Sequence, residues 1–312
     1  MAVTADAVKQ LRERTGAGMM ECKKALVETH GDLDSAAELM RKQGLAKADK
    51  KATRVAAEGV LAVCTSSDGR SASMIEVNCE TDFVAREADF RGFADEVARL
   101  SLAAQPADLA ALHALRISGD QSGKDESVEE RRRALIAKIG ENISVRRFVR
   151  LTAPTHLGAY LHGTRIAALV ALQGGDASTA HDLAMHVAAS SPRYISSAEV
   201  PAEVVAKERE ILTAQALAEG KSADIIARMV EGRLRKQVNE LVLLGQAFVK
   251  DPDQSIEKLL RAANAVVTRF ERFELGAGIE KKHDDFVGEV MAQVKASSSK
   301  DAPNGKGPAS KS

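Results

Sequence analysis

Apolar residues recur at helical spacing through residues 1–55 and predict three short helices. The first should end near Gly16, the second at Gly31, where glycine suits a left-handed cap, and the third at Gly44. The apolar positions on these helices are Val8, Leu11, Met19, Cys22, Ala25, Leu26, Leu33, Ala36, Ala37 and Met40. We expect a small bundle that is marginal alone, followed by a solvated linker over the lysine-rich run 47–51.

From residue 59 the pattern predicts two strands, two helices and a final strand. Ser66-Ser67-Asp68-Gly69 gives the turn signal of a hairpin between the first two strands. The predicted elements are strands over 59–65 and 72–78, a helix with Phe90, Phe93, Ala94, Val97 and Leu100 on one face, a polar loop over 105–127, a helix over 128–139 and a strand over 143–151.

The same order of elements begins again at Gly158. Its predicted parts are strands over 159–162 and 165–172, a helix after Gly174-Gly175-Asp176, a helix around 256–260 and a strand over 266–275. We therefore infer an internal duplication, with hairpin-connected strands and helices on one face, which is an α+β architecture. Two helices, over 201–220 and 221–242, interrupt the second copy and should form a projecting antiparallel hairpin.

Composition excludes several classes of protein. Lys plus Arg and Asp plus Glu both number 44, and a balanced charge argues against direct binding of nucleic acid. Trp is absent, so few rings are available for base stacking. No apolar run is long enough to span a bilayer, and Cys22, Cys64 and Cys79 form no CxxC pair. We expect a soluble, reduced, cytoplasmic protein that makes no membrane contact, with a disordered tail over 296–312.

Motifs for catalysis or cofactor binding are weak. Gly220-Lys221-Ser222 resembles the end of a P-loop, but Gln215 stands where the motif needs its first glycine. His181 and His186 are five residues apart, which is the wrong spacing for a zinc pair on a helix, so we expect packing or hydrogen-bonding roles. His283-Asp284-Asp285 is expected to begin a short helix. We therefore predict that the protein is not an enzyme and has no metal or cofactor.

The connection from the strand over 72–78 to the following helix carries the chain's most unusual turn. It reads Asn78-Cys79-Glu80-Thr81-Asp82-Phe83-Val84, with an aromatic and an aliphatic residue in an acidic setting. Phe83 either folds back into its own core or projects as an anchor for a partner. The second copy has no Thr-Asp-Phe-Val equivalent, and this asymmetry points to a role beyond packing.

Five segments of the chain resemble the bacterial elongation factor Ts family. They are residues 11–26 (LRERTGAGMMECKKAL), 76–84 (EVNCETDFV), 138–143 (KIGENI), 185–190 (MHVAAS) and 245–249 (GQAFV). The first two are long and distinctive. The chain departs from the family pattern at Glu271, where an apolar residue is expected in the last strand, in the 105–127 loop and in the extra tail.

The resemblance implies a fold built from modules. These are a three-helix module like a ubiquitin-associated (UBA) domain over 1–55, a first core subdomain over 56–152, a second over 153–200, a coiled-coil hairpin over 201–242, the completion of the second subdomain with a C-terminal module over 243–295, and the tail over 296–312.

The resemblance also implies a function: the family exchanges guanine nucleotide on elongation factor Tu, which it binds in the GDP-bound and nucleotide-free states. Thr81, Asp82, Phe83 and Val84, here called the 81–84 loop, would enter the G domain and disturb its Mg²⁺ site, which releases GDP. Asp82 either places negative charge near the cation or caps the following helix.

Arg12, Met19 and Met20 are candidates for a second contact with elongation factor Tu; alternatively, Met19 is core and Arg12 is solvated. Two other functions compete with exchange. One is a binding scaffold that uses the three-helix module. The other is an enzyme that uses Cys79 or a histidine such as His186.

Overall fold

The computed structural model describes residues 3–117, 125–218 and 223–280, which fold into helices and small antiparallel sheets and so form an α+β protein. The helices are α1 (Ala5–Thr15), α2 (Met19–Glu28), α3 (Leu33–Lys51), α4 (Asp82–Arg86), α5 (Ala88–Ala104), α6 (Leu109–Ala114), α7 (Val128–Ile139), α8 (Ala177–Ser190), α9 (Ala202–Leu217), α10 (Ala223–Leu241) and α11 (Ile256–Ala262). The strands are β1 (Glu58–Thr65), β2 (Ser71–Cys79), β3 (Arg116–Ile117), β4 (Glu126–Ser127), β5 (Ile143–Thr152), β6 (His156–His162), β7 (Ile166–Gly174), β8 (Ala247–Phe248), β9 (Asp251–Ser255) and β10 (Ala265–Glu274).

The third helix is longer than the sequence predicted. It was expected to stop at Gly44 and be followed by a solvated linker over 47–51, but α3 continues to Lys51. A Cβ atom at Gly44 would lie 3.0 Å from the Ala137 Cβ, so glycine allows α3 to approach α7 closely. The Lys51 ammonium also donates to the Gly140 carbonyl at the end of α7. These contacts outweigh the weak helix propensity of glycine, and both predictions were wrong.

The two larger sheets have the same arrangement of strands. In the first, β2 lies between its hairpin partner β1 and the later strand β5, and in the second, β7 lies between β6 and β10. All of these pairs are antiparallel. Gly158 in β6 lets α8 lie directly on the second sheet, since a Cβ there would come within 1.8 Å of the Ala180 carbonyl oxygen. The observed pairing matches the two strand-strand-helix-helix-strand units predicted from the sequence.

The region predicted to be a polar loop over 105–127 contains regular structure in its described part. Asp108 caps α6, with its carboxylate accepting the Ala111 N–H at 2.8 Å, and β3 pairs with β4. Leu112 on α6 and Ile117 on β3 are buried in the core of the first half. The prediction of a loop was wrong because it relied on the local pattern of apolar residues. These few apolar residues are buried by partners that are distant in the chain. Residues 118–124 lie outside the described part.

The two larger sheets share one apolar layer, to which both contribute side chains from one face. Its largest members include Leu61, Met74, Leu151, Leu169 and Phe273. Separate clusters lie on the opposite faces, under α5 and α7 in the first half and under α8 and α11 in the second. The layer between the sheets therefore couples the two halves of the chain.

A buried carboxylate reinforces this junction. Glu76 on β2 accepts hydrogen bonds from Arg146 at 3.0 Å, Arg147 at 2.6 Å and the Gly276 N–H at 2.8 Å. Burial alone would raise the pKa of Glu76, but these donors lower it below its ordinary value. Since Gly276 follows β10, the charge cluster ties the first sheet to the end of the second.

The two helices that interrupt the second half pack against each other. Their contact is formed by Leu212, Ala216, Ile226, Val230 and Leu234. Arg209 on α9 forms an ion pair with Glu231 on α10. Residues 219–222 between them, the predicted cap at 283–285 and the predicted tail over 296–312 lie outside the described part. None of the helices in the described ranges is long and apolar enough to cross a membrane.

Glu271, the unexpected charge in the last strand, has a local partner. Its carboxylate accepts from the Arg269 guanidinium at 2.7 Å, and its side chain is 29% exposed. Glu271 lies on β10, an outer strand of the second sheet. A paired carboxylate is tolerated there, because its charge remains in contact with both water and a counter-ion.

Candidate functional site

The 81–84 loop continues directly from β2 into the short helix α4. Thr81 is the residue before the helix; its backbone is extended, and its hydroxyl oxygen accepts the Val84 N–H at 3.4 Å. The helix cap is therefore Thr81. Asp82 is the first helical residue, so the alternative in which Asp82 caps the helix was wrong. A hydroxyl at the capping position satisfies a backbone N–H that has no partner within the helix.

Phe83 projects from α4 into solvent, with 76% of its surface exposed, while Val84 and Ala85 are buried. Consecutive residues of a helix point in different directions, so the two inward residues fix the outward direction of Phe83. Of the two alternatives open from the sequence, the structure shows projection. Phe83 has the highest exposure among the large hydrophobic residues of the described chain.

Asp82 also faces solvent, but its charge is paired within the helix. Its carboxylate accepts from the Arg86 guanidinium at 2.7 Å, and the Asp82 side chain is 49% exposed. An exposed ion pair four residues apart on a helix contributes only about 0.3–0.5 kcal/mol. Asp82 can therefore change partners at little cost in free energy.

Two glutamates join the start of the loop to the turn between α7 and β5, and sequence reasoning missed this contact. The Glu141 carboxylate accepts the N–H groups of Glu80 and Thr81, and the Glu80 carboxylate accepts the N–H of Asn142. The available signal was the KIGENI segment over 138–143, which carried the family resemblance without an assigned role.

Cys79 is placed for packing and not for nucleophilic chemistry. It is fully buried at the end of β2, and its thiol lies 3.1 Å from the Thr81 carbonyl oxygen. Burial, and after it the nearby carboxylates of Glu141 and Glu58, raise the pKa of the thiol to about 12. Because the thiolate is the reactive form, these surroundings suppress its reactivity.

The two histidines of α8 have the hydrogen-bonding roles predicted for them. His186 is buried, and its Nε2 atom lies 2.9 Å from the Gln246 side-chain oxygen. His181 lies with its Nδ1 atom 3.1 Å from the Ala159 carbonyl oxygen. Among the residues that the structure describes, no three potential metal ligands cluster.

Arg12, Met19 and Met20 lie on the surface of the N-terminal helices. Met19 is 54% exposed and Met20 is 65% exposed, so the alternative that placed Met19 in the core was wrong. The spacing of apolar residues identifies the inner face of a helix, but it does not show how far along that helix the neighbouring helices extend. Met19, the first residue of α2, is therefore exposed although its spacing matches the inner face. The core of this unit consists of Val8, Leu11, Cys22, Ala25, Leu26 and Ala36.

A path of contacts connects the N-terminal helices to the helix that follows the 81–84 loop. Gly16, which follows α1, lies against Lys138: a Cβ atom added to Gly16 would be 3.3 Å from the Lys138 side chain. Lys138 in turn forms an ion pair with Asp89 in the first turn of α5. The end of α1 and the helix that follows α4 are therefore both close to the end of α7.

Comparison with known proteins identifies the family. A family model described as elongation factor TS matches residues 80–277, which include the 81–84 loop, β5 of the first larger sheet and all three strands of the second. This match covers more than half of the chain. The chain belongs to the elongation factor Ts family.

Full-length relatives support the same assignment. The elongation factor Ts of Alkalilimnicola ehrlichii is 56% identical over 298 residues, which are 95% of this chain and 100% of the relative. That of Methylococcus capsulatus is also 56% identical over 298 residues, with the same coverage. The protein from Legionella pneumophila strain Lens is 51% identical over 293 residues, 94% of this chain and 99% of its own length. Membership of the elongation factor Ts family makes the chain a factor of translation elongation.

Proposed function

We propose that this member of the elongation factor Ts family binds elongation factor Tu·GDP in the cytoplasm and promotes the release of GDP. The observation that carries the proposal is the exposed Phe83 ring on a helix that Val84 and Ala85 anchor in the core. A large apolar side chain held in solvent next to the family's characteristic segment is suited to burial in a partner.

Thermodynamic linkage explains how such a contact releases a nucleotide. If the factor binds nucleotide-free elongation factor Tu more tightly than the GDP-bound form, the same coupling free energy weakens GDP binding in the complex. Burying one Phe side chain contributes roughly 1.5–3 kcal/mol. The factor therefore needs no nucleotide site of its own, because it acts on the conformation of its partner.

Each residue of the 81–84 loop has a distinct part in the proposed mechanism. Phe83 enters a pocket that forms only when the G domain shifts, and Val84 anchors the base of the loop in the core of the first half. Thr81 caps the helix that carries both. Asp82 exchanges its Arg86 partner for the surroundings of the Mg²⁺ site of elongation factor Tu, where insertion of the loop disturbs the region that holds the cation.

We further propose that the architecture is modular. The three N-terminal helices form a UBA-like module over 1–55, and α9 and α10 form an antiparallel coiled coil within 201–242. The duplicated core then consists of 56–152 and of 153–200 completed by 243–295. In the N-terminal module, Met19 and Met20 provide an adaptable apolar contact to elongation factor Tu, and Arg12 provides a positively charged one.

The exposed Met19 and Met20 side chains also favour a second candidate function. In this alternative the chain is a protein-binding scaffold that uses the N-terminal module and has no exchange activity. The two functions differ in their effect on bound nucleotide: a scaffold binds elongation factor Tu without changing the release of GDP.

The test is stopped-flow release of a fluorescent GDP analogue from elongation factor Tu with increasing concentrations of the purified chain. Exchange activity gives a release rate that rises with concentration and saturates. Excess GDP should also dissociate the complex. A stable complex whose GDP release equals that of elongation factor Tu alone would contradict exchange and leave the scaffold function.

A further inference from the structure

Glu141 lies in the turn between α7 and β5 and binds the two residues that precede α4. Its Oε2 atom accepts the Glu80 N–H at 3.1 Å and the Thr81 N–H at 3.0 Å. Its Oε1 atom accepts the Thr81 hydroxyl at 2.7 Å. One carboxylate, about 60 residues away in sequence, therefore receives three donors from the start of the 81–84 loop.

The contact is reciprocal, which fixes both segments. The Glu80 carboxylate accepts the Asn142 N–H at 2.6 Å and lies 3.4 Å from the Arg54 guanidinium. The Asn142 side chain donates to the Arg54 carbonyl at 2.8 Å. Three separate stretches of chain thus meet at the base of the loop, and hydrogen bonds to ionised acceptors are the stronger ones.

These bonds determine where Phe83 lies. α4 has only 5 residues, and so short a helix does not form by itself in water. The Thr81 hydroxyl donates to Glu141 and so turns its lone pairs toward the Val84 N–H, which it caps. The start of the helix and its cap consequently both depend on the Glu141 carboxylate.

The corresponding junction in the second half is simpler. There β7 leads into α8, and the Asp176 carboxylate accepts the Thr179 N–H at 2.7 Å as a cap from within the same segment. A connection from strand to helix in this fold can thus be capped by its own side chain. The long-range carboxylate is found at the junction that carries the exposed Phe83.

We propose that Glu141 is a positioning residue for nucleotide exchange, which holds the 81–84 loop in its binding conformation before the partner arrives. This inference rests on the proposed function. A loop that is already ordered loses less conformational entropy on binding, so more of the Phe83 contact energy is available to weaken GDP binding. Glu141 acts through the backbone of Glu80 and Thr81 and not through contact with the nucleotide.

The first test separates the rate of exchange from the strength of binding. In Glu141→Ala, GDP release at saturating factor should fall by about tenfold, because three charge-assisted bonds to the loop are lost. The half-saturating concentration should change less than about twofold, since the contacts of the N-terminal module are intact. In Glu141→Gln the amide oxygen still accepts both N–H groups and the amide nitrogen donates to the Thr81 hydroxyl oxygen. This variant should exchange within about twofold of the wild type.

The second test does not need elongation factor Tu. The chain contains no Trp, so a Phe83→Trp variant carries one indole at the tip of the loop. Time-resolved fluorescence anisotropy should show little fast motion in this background and a larger nanosecond component after Glu141→Ala. Adding Glu141→Gln instead should leave the decay unchanged.

Asp176→Ala is the matched control, because it removes a helix-capping carboxylate at the other junction. It should lower the melting temperature, as loss of a cap does, without slowing saturated release. The inference is overturned if Glu141→Ala exchanges at the wild-type rate with unchanged anisotropy, or if Asp176→Ala slows release equally. Failure of the wild type to accelerate release would instead contradict the proposed function, and the anisotropy would still decide whether Glu141 fixes the loop.

Discussion

Phe83 is highly exposed on a helix whose neighbouring residues are buried, and its two possible roles predict opposite results on truncation. Because 76% of its surface is exposed, Phe83→Ala should change the free energy of unfolding by less than about 0.5 kcal/mol. Release of GDP from elongation factor Tu at saturating factor should slow by roughly 10–100-fold, since the ring supplies ~1.5–3 kcal/mol of differential binding. Thermal melts and stopped-flow release of a fluorescent GDP analogue measure the two effects.

Val266→Ala is a suitable control for this experiment, since Val266 is 60% exposed on β10 in the other half of the chain. It should affect neither stability nor release. A large fall in melting temperature for Phe83→Ala, together with normal saturated release, would mean that the ring stabilises the fold and does not act on the partner.

Cys79 should be unreactive in the native chain. With a pKa raised to about 12, the thiol is almost entirely protonated at pH 8, and the side chain is also buried. N-ethylmaleimide should therefore modify the half-buried Cys64 first, and Cys79 only after denaturant is added. Peptide mapping by mass spectrometry measures the order. Rapid native labelling of Cys79 would reopen the possibility that it is a nucleophile.

At the scale of secondary-structure elements, Glu129 makes the stability of α7 dependent on pH. Burial alone would raise the pKa of Glu129, but hydrogen bonds from Arg132 and Arg133 outweigh it and lower the pKa from 4.5 to about 2. A carboxylate with a depressed pKa stabilises the folded state above its unfolded pKa, and this contribution is lost as the pH falls. The window of loss therefore extends from about pH 4.5 to about pH 2.

Glu129→Gln should lower the free energy of unfolding at pH 7 by about 1–2 kcal/mol, a value reduced for partial solvent exposure. The difference from the wild type should shrink through the window and vanish near pH 2. Urea unfolding at several pH values measures it. Glu257→Gln, at an exposed ion pair with Arg261 on α11, should show almost no effect at any pH. A pH-independent difference for Glu129→Gln would refute the assignment to its charge.

The helical hairpin formed by α9 and α10 should be separable from the core. Its described apolar contacts are largely between its own helices, from Val205 and Val238 to Ala216 and Ile226. Residues near its base belong to the core, however: Leu243 donates its N–H to the Tyr194 carbonyl and is fully buried. Truncation should therefore leave the base in place and remove only the paired part.

Replacing residues 206–237 with a short Gly-Ser link should leave a chain with one cooperative thermal transition. The reason is that the apolar side chains removed with the hairpin pack mainly against each other. Calorimetry and circular dichroism measure this, with Leu183→Ala as a control that should lower the melting temperature by opening a cavity under the second sheet. A truncated chain without a transition would show that the hairpin is part of the core.

At the scale of the whole molecule, the N-terminal helices should contribute binding more than exchange. Since α3 packs on α7 through Gly44 and contributes the buried Ala48 to the first core, a truncation should end before Gly44. Deleting residues 1–42 should raise the half-saturating concentration at least about tenfold through loss of Met19 and Met20. The saturated rate of GDP release should be retained, because the 81–84 loop is intact.

Met19→Ser and Met20→Ser together form the matched control, because both side chains are exposed and the helices should still fold. This variant should reproduce most of the loss in affinity. A truncated chain that binds elongation factor Tu at full strength would contradict a role for the N-terminal helices. One that binds but no longer releases GDP at saturation would assign them to the exchange step.

The sequence by itself determined the main helices and strands and their order, because these depend on neighbouring residues. The α+β class, the two repeated sheets and the hairpin helices followed from periodicity, and α7 ends at Gly140 as predicted. The segment that carries Phe83 was also evident from the sequence, because its composition is unusual and has no counterpart in the second half.

Only the tertiary structure decided features that depend on distant partners. Gly44 does not end α3, because α7 packs against it, and Met19 is exposed although its spacing matches an inner face. Phe83 projects because Val84 and Ala85 are buried, and Glu141 reaches Thr81 across about 60 residues of chain. A hydrophobic pattern shows which residues can be buried, but the neighbours that bury them, and those that hold a loop in solvent, are set by long-range packing.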